Sequence, residues 1–229
     1  MDLNTINKFD KAKEKTENVD TQNIEYSGAE YKTKTKEIKN KRINEELIKA
    51  IALIKIAAAE ANKKAGKLDE NIANAIKEAA NDLIVGNYID AFMLPSIQGG
   101  AGTSTNMCVN EVIANIALEK MGHKKGNYQI ISPLDHVNHS QSTNDVYPTA
   151  VKIASIKLLR ELLDETMALQ QELQNKEKEF SNALKTGRTQ FQDAVPLTLG
   201  QEFGAYAEAI SRDRWRIYKI EERIRRVNI

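Results

Sequence analysis

Cysteine occurs once, at position 108, so no internal disulfide can form and the signature of a small secreted scaffold is missing. An excess of charge of one sign is missing too. The 33 Lys and Arg against 32 Asp and Glu leave a formal net charge of +1, which gives no field to draw in a nucleic acid or an acidic membrane. No run of about 18 apolar residues occurs, so no segment is expected to span a bilayer. The start, Met1-Asp2-Leu3-Asn4, has neither the basic run nor the apolar stretch of a signal peptide. These absences predict a cytoplasmic protein with no nucleic-acid and no membrane partner. Four prolines, 11 glycines and 6% aromatics are few for 229 residues. Beside abundant Ala, Leu, Ile, Lys and Glu they predict an all-α, mainly helical fold.

Residues 1–46 hold ten basic and ten acidic side chains with few clustered apolar positions, which predicts a mobile or loosely docked arm. From Glu45 onward Leu47, Ile51, Ile54, Ala58 and Ala61 recur at helical spacing up to Gly66, and Ile72, Ala75, Ile76, Ala79, Leu83 and Ile84 define a second helix that stops at Gly86. The two should form a helical hairpin. Three glycines in the four positions 99–102 break the chain into a loop. Met107, Val112, Ile113, Ile116, Ala117 and Met121 then mark a third helix ending at Gly122. Pro148 suits the first turn of a fourth, with apolar positions from Ile153 to Phe180. That helix is expected to run to Leu184, about 37 residues or on the order of 55 Å, and so long a helix needs partners. A last stripe from Phe203 to Val227 is expected to stay helical to Ile229. The only strand pattern is the short Tyr128-Gln129-Ile130-Ile131.

Three loops share one design. Gly99–Asn106, Ser140–Asp145 and Gly187–Gln192 are each rich in Gly or in small hydroxyl and amide side chains, and each is expected to feed a helix. A helix start offers unpaired N–H groups and the positive end of the macrodipole, and Ser, Thr and Asn add neutral donors. Converging, such loops would bind a small polyanion; taken singly, Thr103, Ser142, Thr143 and Asn144 could equally be helix caps and turns. Neither G-x-x-x-x-G-K-[ST] nor a G-x-G-x-x-G after a strand is present, which argues against a nucleotide phosphate. His136 and His139, spaced i,i+3, could in principle share a metal, although turn histidines fit the pattern as well, and no metal site is assigned. Cys108, among apolar residues, reads as a buried inert thiol.

Five ordered motifs carry a family resemblance. Gln98-Gly99-Gly100-Ala101-Gly102-Thr103-Ser104-Thr105-Asn106-Met107, Asn110-Glu111-Val112-Ile113-Ala114-Asn115, Asp135-His136-Val137-Asn138, Ser140-Gln141-Ser142-Thr143-Asn144-Asp145 and Gly187-Arg188-Thr189-Gln190-Phe191-Gln192-Asp193-Ala194-Val195-Pro196 resemble the aspartase/fumarase superfamily, and within it the aspartate ammonia-lyases most. The resemblance spans Arg42 to Ile229. Beyond the charged, poorly matching arm over 1–46, it implies an N-terminal helical lyase domain over 47–141 and part of a long central helical bundle over 142–229, in a homotetramer whose active sites each draw on three subunits. It implies a carbon-nitrogen lyase that eliminates ammonia from L-aspartate through an enediolate to give fumarate, with no required cofactor and with activation by a divalent metal allowed. Carried over residue by residue, Thr103, Ser142 and Thr143 would hold the β-carboxylate, Asn144 would contact the amino group, and Thr189 would bind the α-carboxylate. Gln190 stands where some relatives have histidine, so no proton relay is expected there. The family's serine base belongs to a G-S-S-x-M-P-x-K-x-N-P loop expected beyond Ile229, so no catalytic residue is assigned and the chain alone is expected to be an inactive fragment. Fumarate hydratase is the alternative enzyme, and a non-catalytic helical assembly module the alternative of another class.

Overall fold

A computed structural model describes residues 42–92, 94, 96 and 101–227. The charged arm up to residue 41 and Gln98, Gly99 and Gly100 of the first loop lie outside the described residues. The chain divides into two compact units, one reaching to Val151 and one from Lys152 to Val227.

In the first unit, helix α1 (Glu45–Lys64) starts where Asn44 accepts the amide of Glu46 at 2.8 Å, with Glu45 and Glu46 at the positive end of the dipole and Lys63 and Lys64 at the other. Helix α2 (Glu70–Ile84) starts on Asp69, which accepts from the amides of Asn71 and Ile72. Helix α3 is Thr103–Lys120. All three end in the same way, with a glycine one position past the cap and the next amide reaching back: Lys67 to the carbonyl of Asn62, Asn87 to Asp82, His123 to Leu118, at 2.8 to 2.9 Å. The expected hairpin forms, since α1 packs on α2 and α2 on α3. Ile51 and Leu83 are fully buried at 0% exposed, worth about 2 kcal/mol each. On α1 the buried residues are Ile48, Ala50, Ile51, Ala52, Ile54, Lys55, Ala59 and Asn62, whereas Ala61, expected on that stripe, is exposed. A lysine and an asparagine therefore lie in phase with the core. Helix α3 buries 12 of its 18 residues, so it is surrounded on most sides rather than lying amphipathic on a surface.

Tyr128–Ile131, expected as a strand, is a series of turns. Asn115 on α3 holds this segment, accepting the amide of Gly126 at 2.8 Å and donating to the Tyr128 hydroxyl at 3.2 Å. A single π-helical turn follows at Pro133–Val137, started by Ser132, whose hydroxyl accepts from the amides of Leu134 and Asp135.

Helix α4 runs from Thr143 to Glu179, 37 residues as expected, but it begins five residues before Pro148. Ser142 starts it: its side chain accepts the amide of Asn144 at 3.2 Å and its carbonyl takes the amide of Val146 at 3.0 Å. Pro148 is tolerated one turn inside, where it simply has no N–H to give the carbonyl of Asn144.

In the second unit the remainder of α4 lies antiparallel to helix α5 (Leu199–Ile224). Arg160 grips Glu221 through two bonds of 3.1 and 2.7 Å, Arg214 reaches Gln170 at 2.6 Å, and Phe180 stacks on Phe203 with centroids 5.7 Å apart. Helix α5 starts on a reciprocal cap between Thr198 and Gln201 and ends at Ile224, short of the expected continuation to the last residue. Between the helices strands β1 (Leu184–Thr189) and β2 (Gln192–Thr198) form an antiparallel hairpin, where the sequence had predicted no strand and a loop feeding a helix. Thr189 pairs with Gln192, so Gln190 and Phe191 alone make the turn, at φ +49° and +61°. Two consecutive left-handed residues match the right-handed twist of a hairpin. No helix among the described residues is long and apolar enough to cross a membrane.

Candidate active site at two helix starts

The starts of α3 and α4 meet in the first unit. Gly102 precedes α3 at φ +83°, and a Cβ built on it would lie 2.3 to 2.5 Å from three ring carbons of Tyr147, in the second turn of α4. The Tyr147 ring therefore lies directly on the backbone of Gly102, a contact and a conformation that only glycine permits. From the next turn of α3, Asn106 donates through Nδ2 to the Thr143 hydroxyl oxygen at 3.0 Å. Two of the three expected loops are thus held together through side chains.

Of the expected site residues, Thr103, Ser142 and Asn144 are exposed and Thr143 is half-buried at these helix starts. Ser142 caps α4, so the helix-cap alternative is correct for its oxygen. That role uses only a lone pair. The Ser142 oxygen accepts from Asn144 N–H, the Thr143 oxygen accepts from Asn106 Nδ2, and each hydroxyl keeps its proton to donate elsewhere. Thr189 and Gln190 belong to the second unit, exposed at the tip of the hairpin. Arg188 and Asp193 face each other across its strands at 3.5 Å.

Behind the hydroxyls lies a polar cluster that sequence reasoning missed. Lys55 of α1 is 0% exposed and donates to Asn138 Oδ1 and Gln141 Oε1, both at 2.9 Å. Asn138 Oδ1 also receives Asn106 Nδ2 and Asn110 Nδ2, each at 3.2 Å. Gln141 Nε2 donates to the carbonyls of Val137 and His139, and Asn62 Nδ2 also donates to the carbonyl of His139. Among the described residues, the side-chain oxygens of Asn106 and Asn110 are buried without a partner. Burial pushes the Lys55 ammonium down to about 7, because a charge removed from water is disfavoured when its partners are neutral amides. The signal in the sequence was the phase of Lys55, four residues after Ile51 and four before Ala59 on the buried stripe of α1.

The histidines of the Pro133–Val137 turn are engaged by backbone. His136 Nδ1 accepts the amide of Ser132 at 2.8 Å, and His139 Nδ1 lies 2.9 Å from the carbonyl of Asp135. Among the described residues no group of three or more His, Cys, Asp or Glu side chains gathers. Cys108 is fully buried, as expected, and burial raises its thiol to about 12. It is no nucleophile at neutral pH.

Comparison with known proteins identifies the family. A family model described as lyase matches residues 27–229. An aspartate ammonia-lyase of a Bacillus species is 51% identical over 184 residues, 80% of this chain and 39% of that protein. The aspartate ammonia-lyase of Escherichia coli K12 is 45% identical over 185 residues, again 80% and 39%. The chain thus spans about two fifths of the length of these curated relatives. Among solved structures, a fumarate lyase:delta crystallin from Brucella melitensis superposes with a TM-score of 0.84 at 42% identity, covering 89% of this chain and 48% of that one. A class II fumarase from Schistosoma mansoni gives 0.75 at 32%, covering 82% and 40%. With the matched family extending over most of its residues and two hydroxyl-bearing helix starts joined as described, this chain belongs to the lyase family that includes the aspartate ammonia-lyases and the fumarases.

Proposed function

We propose that this chain supplies the carboxylate-binding part of an ammonia-lyase that converts L-aspartate to fumarate. The observation that carries this is the pair of hydroxyls at the start of α4, whose oxygens already accept hydrogen bonds from Asn144 and Asn106. Both O–H groups are left to serve an anion. Loss of a proton from the carbon beside the β-carboxylate turns that group into an enediolate with extra charge on its oxygens. Fixed neutral donors favour this state over the ground state without a counter-charge that would hold the substrate equally well. Thr103, Ser142 and Thr143 take the β-carboxylate, Asn144 the amino group and Thr189 the α-carboxylate, and Gln190 is counted among the substrate-binding residues. None of these residues is assigned the role of base, and the chemistry assigned to them needs no cofactor. The exposed apolar side chains Leu158, Leu162 and Met167 of α4 and Tyr206 and Trp215 of α5 suit burial in a larger helical bundle, as in a homotetramer.

The test is a chimaera in which residues 42–227 replace the matching segment of the Bacillus subtilis aspartate ammonia-lyase, another relative of 50% identity over 186 residues. Fumarate formed from L-aspartate, reduced by about 10²-fold in kcat/KM by Thr143→Val, is the expected result. Fumarate formed from malate alone would assign the chain to hydratase chemistry instead, and turnover of neither in a folded chimaera would remove the proposal.

A further inference from the structure

We propose that Lys55 and Asn106 are positioning residues that set the direction of the Thr143 hydroxyl proton, so that it is offered to a bound carboxylate; this rests on reading Thr143 as a carboxylate donor. The inference follows from which atoms can only donate. A lysine ammonium has three N–H donors and no lone pair. Its two partners at 2.9 Å must therefore present oxygen, which fixes the amides of Asn138 and Gln141. The remaining bonds agree: Asn138 Nδ2 then meets the carbonyl of Gln141 at 3.2 Å, and Gln141 Nε2 meets two further carbonyls.

With Asn138 Oδ1 fixed as an acceptor, whatever touches it must donate. Asn106 and Asn110 both turn their Nδ2 to it at 3.2 Å. Flipping Asn106 would set oxygen against oxygen there. The same Nδ2 lies 3.0 Å from the Thr143 oxygen, so Thr143 accepts on that side and gives its proton away from the cluster. Polarity thus passes from Lys55 through Asn138 and Asn106 to Thr143. The two buried amide oxygens of Asn106 and Asn110 without partners are what this ordering leaves behind, since each nitrogen is committed to Asn138 and the oxygen must face the other way.

Proton exchange of the Asn106 side-chain amide tests the relay in the full 229-residue chain by NMR at pH 6, where Lys55 is an ammonium. Asn106→Leu identifies the resonance. Lys55→Met, at a position whose hydrogen bonds go to Asn138 and Gln141 and not to Asn106 or Thr143, should accelerate that exchange at least about tenfold, and unchanged exchange in a folded variant overturns the proposal. Asn138→Asp keeps an acceptor opposite both Lys55 and Asn106 and is a second route should Lys55→Met not fold. It should keep the slow exchange, and loss of protection there also overturns it. Fumarate titrated into the same chain by calorimetry supplies the readout that a merely structural role would not move. Thr143→Val and Asn106→Leu should each weaken binding about tenfold, and the double variant should be no weaker than either, because Asn106 acts only through the hydroxyl. A hundredfold loss in the double variant means independent roles and overturns the proposal. If the unsubstituted chain binds no fumarate, the carboxylate assignment of Thr143 falls, while the exchange data still decide whether the relay exists.

Discussion

Raising the pH from 7 to 9 should stabilise the first unit, and Lys55 should account for the gain. Lys55 is held to about 7 in the folded chain against an ordinary 10.5. Between those values the unfolded chain binds a proton at this site that the folded chain does not, so stability rises with pH, by up to about 1.4 kcal/mol per unit. Integrated over the two units from 7 to 9, allowing for half-titration at the lower end, the gain is about 2 kcal/mol. Other raised groups act in the opposite sense only at the top of this window, where deprotonation of the unfolded Cys108 thiol takes back about 0.4 kcal/mol by pH 9. The thiol of Cys108, raised to about 12 from 9, and the phenol of Tyr128, raised to about 12 from 10, both by burial, lose stability only once the unfolded chain begins to deprotonate there. Urea unfolding followed by circular dichroism at pH 7, 8 and 9 measures the slope. Lys55→Met should lose this rise and stay nearly flat across the window, whatever its absolute stability after Gln141 Oε1 loses its donor. A parent with no slope, or a Lys55→Met variant with the same slope, would refute the assignment of a displaced proton to this lysine.

Phe191→Gly should stabilise the hairpin by about 1 kcal/mol, since a side chain at φ +61° is strained and Phe191 is wholly exposed; slower amide exchange in β1 and β2 would show it, and faster exchange would contradict the turn geometry. Gly102→Ala should cost the first unit about 2 kcal/mol or more in a denaturant melt, from its left-handed φ and from a Cβ within 2.5 Å of the Tyr147 ring. Adding Tyr147→Ala should recover part of that loss, and a melt unchanged by Gly102→Ala would mean the two helix starts do not touch.

What was legible in the sequence, and what was not, divides along physical lines. Helices α1, α2 and α3 were legible because each stripe ends at a glycine, at Gly66, Gly86 and Gly122, where the backbone turns left-handed. The start of α4 was misplaced because Pro148 favours a first turn, yet the Ser142 cap outcompetes it five residues earlier. The hairpin was invisible for a different reason. Apart from Gly187, and Lys185, Leu197 and Thr198 in part, its strand residues are exposed on both faces, so no alternation of apolar and polar residues could mark it, and Gly187 and Pro196 argued against strands. At the candidate site the hydroxyls of Thr103, Ser142 and Thr143 were legible as helix-start residues. Their supports were not, because Asn106 meets Thr143 across 37 positions and Lys55 meets Asn138 across 83, separations at which no local pattern carries information.

A lysine and two asparagines inside the first unit are a poor way to make it stable. The orphaned oxygens of Asn106 and Asn110 cost about 1 to 3 kcal/mol each as buried acceptors, and Lys55 adds the desolvation seen in its displaced proton. Leucine or methionine at these three positions would remove those costs and fill similar volume, although Asn138 Oδ1 and Gln141 Oε1 would lose the donors they now have. Apolar side chains, however, cannot hand a direction to a hydroxyl, and the Thr143 proton would then be free to turn inward or outward with little difference in energy. Uniform hydrogen-bond direction through several groups requires one member that can only donate, and among the side chains around Asn138 Oδ1 that member is Lys55 in its ammonium form. The stability lost around Lys55 is therefore confined to the residues that fix one proton at the start of α4, which is the pattern expected where local rules give way at a working site rather than across a core.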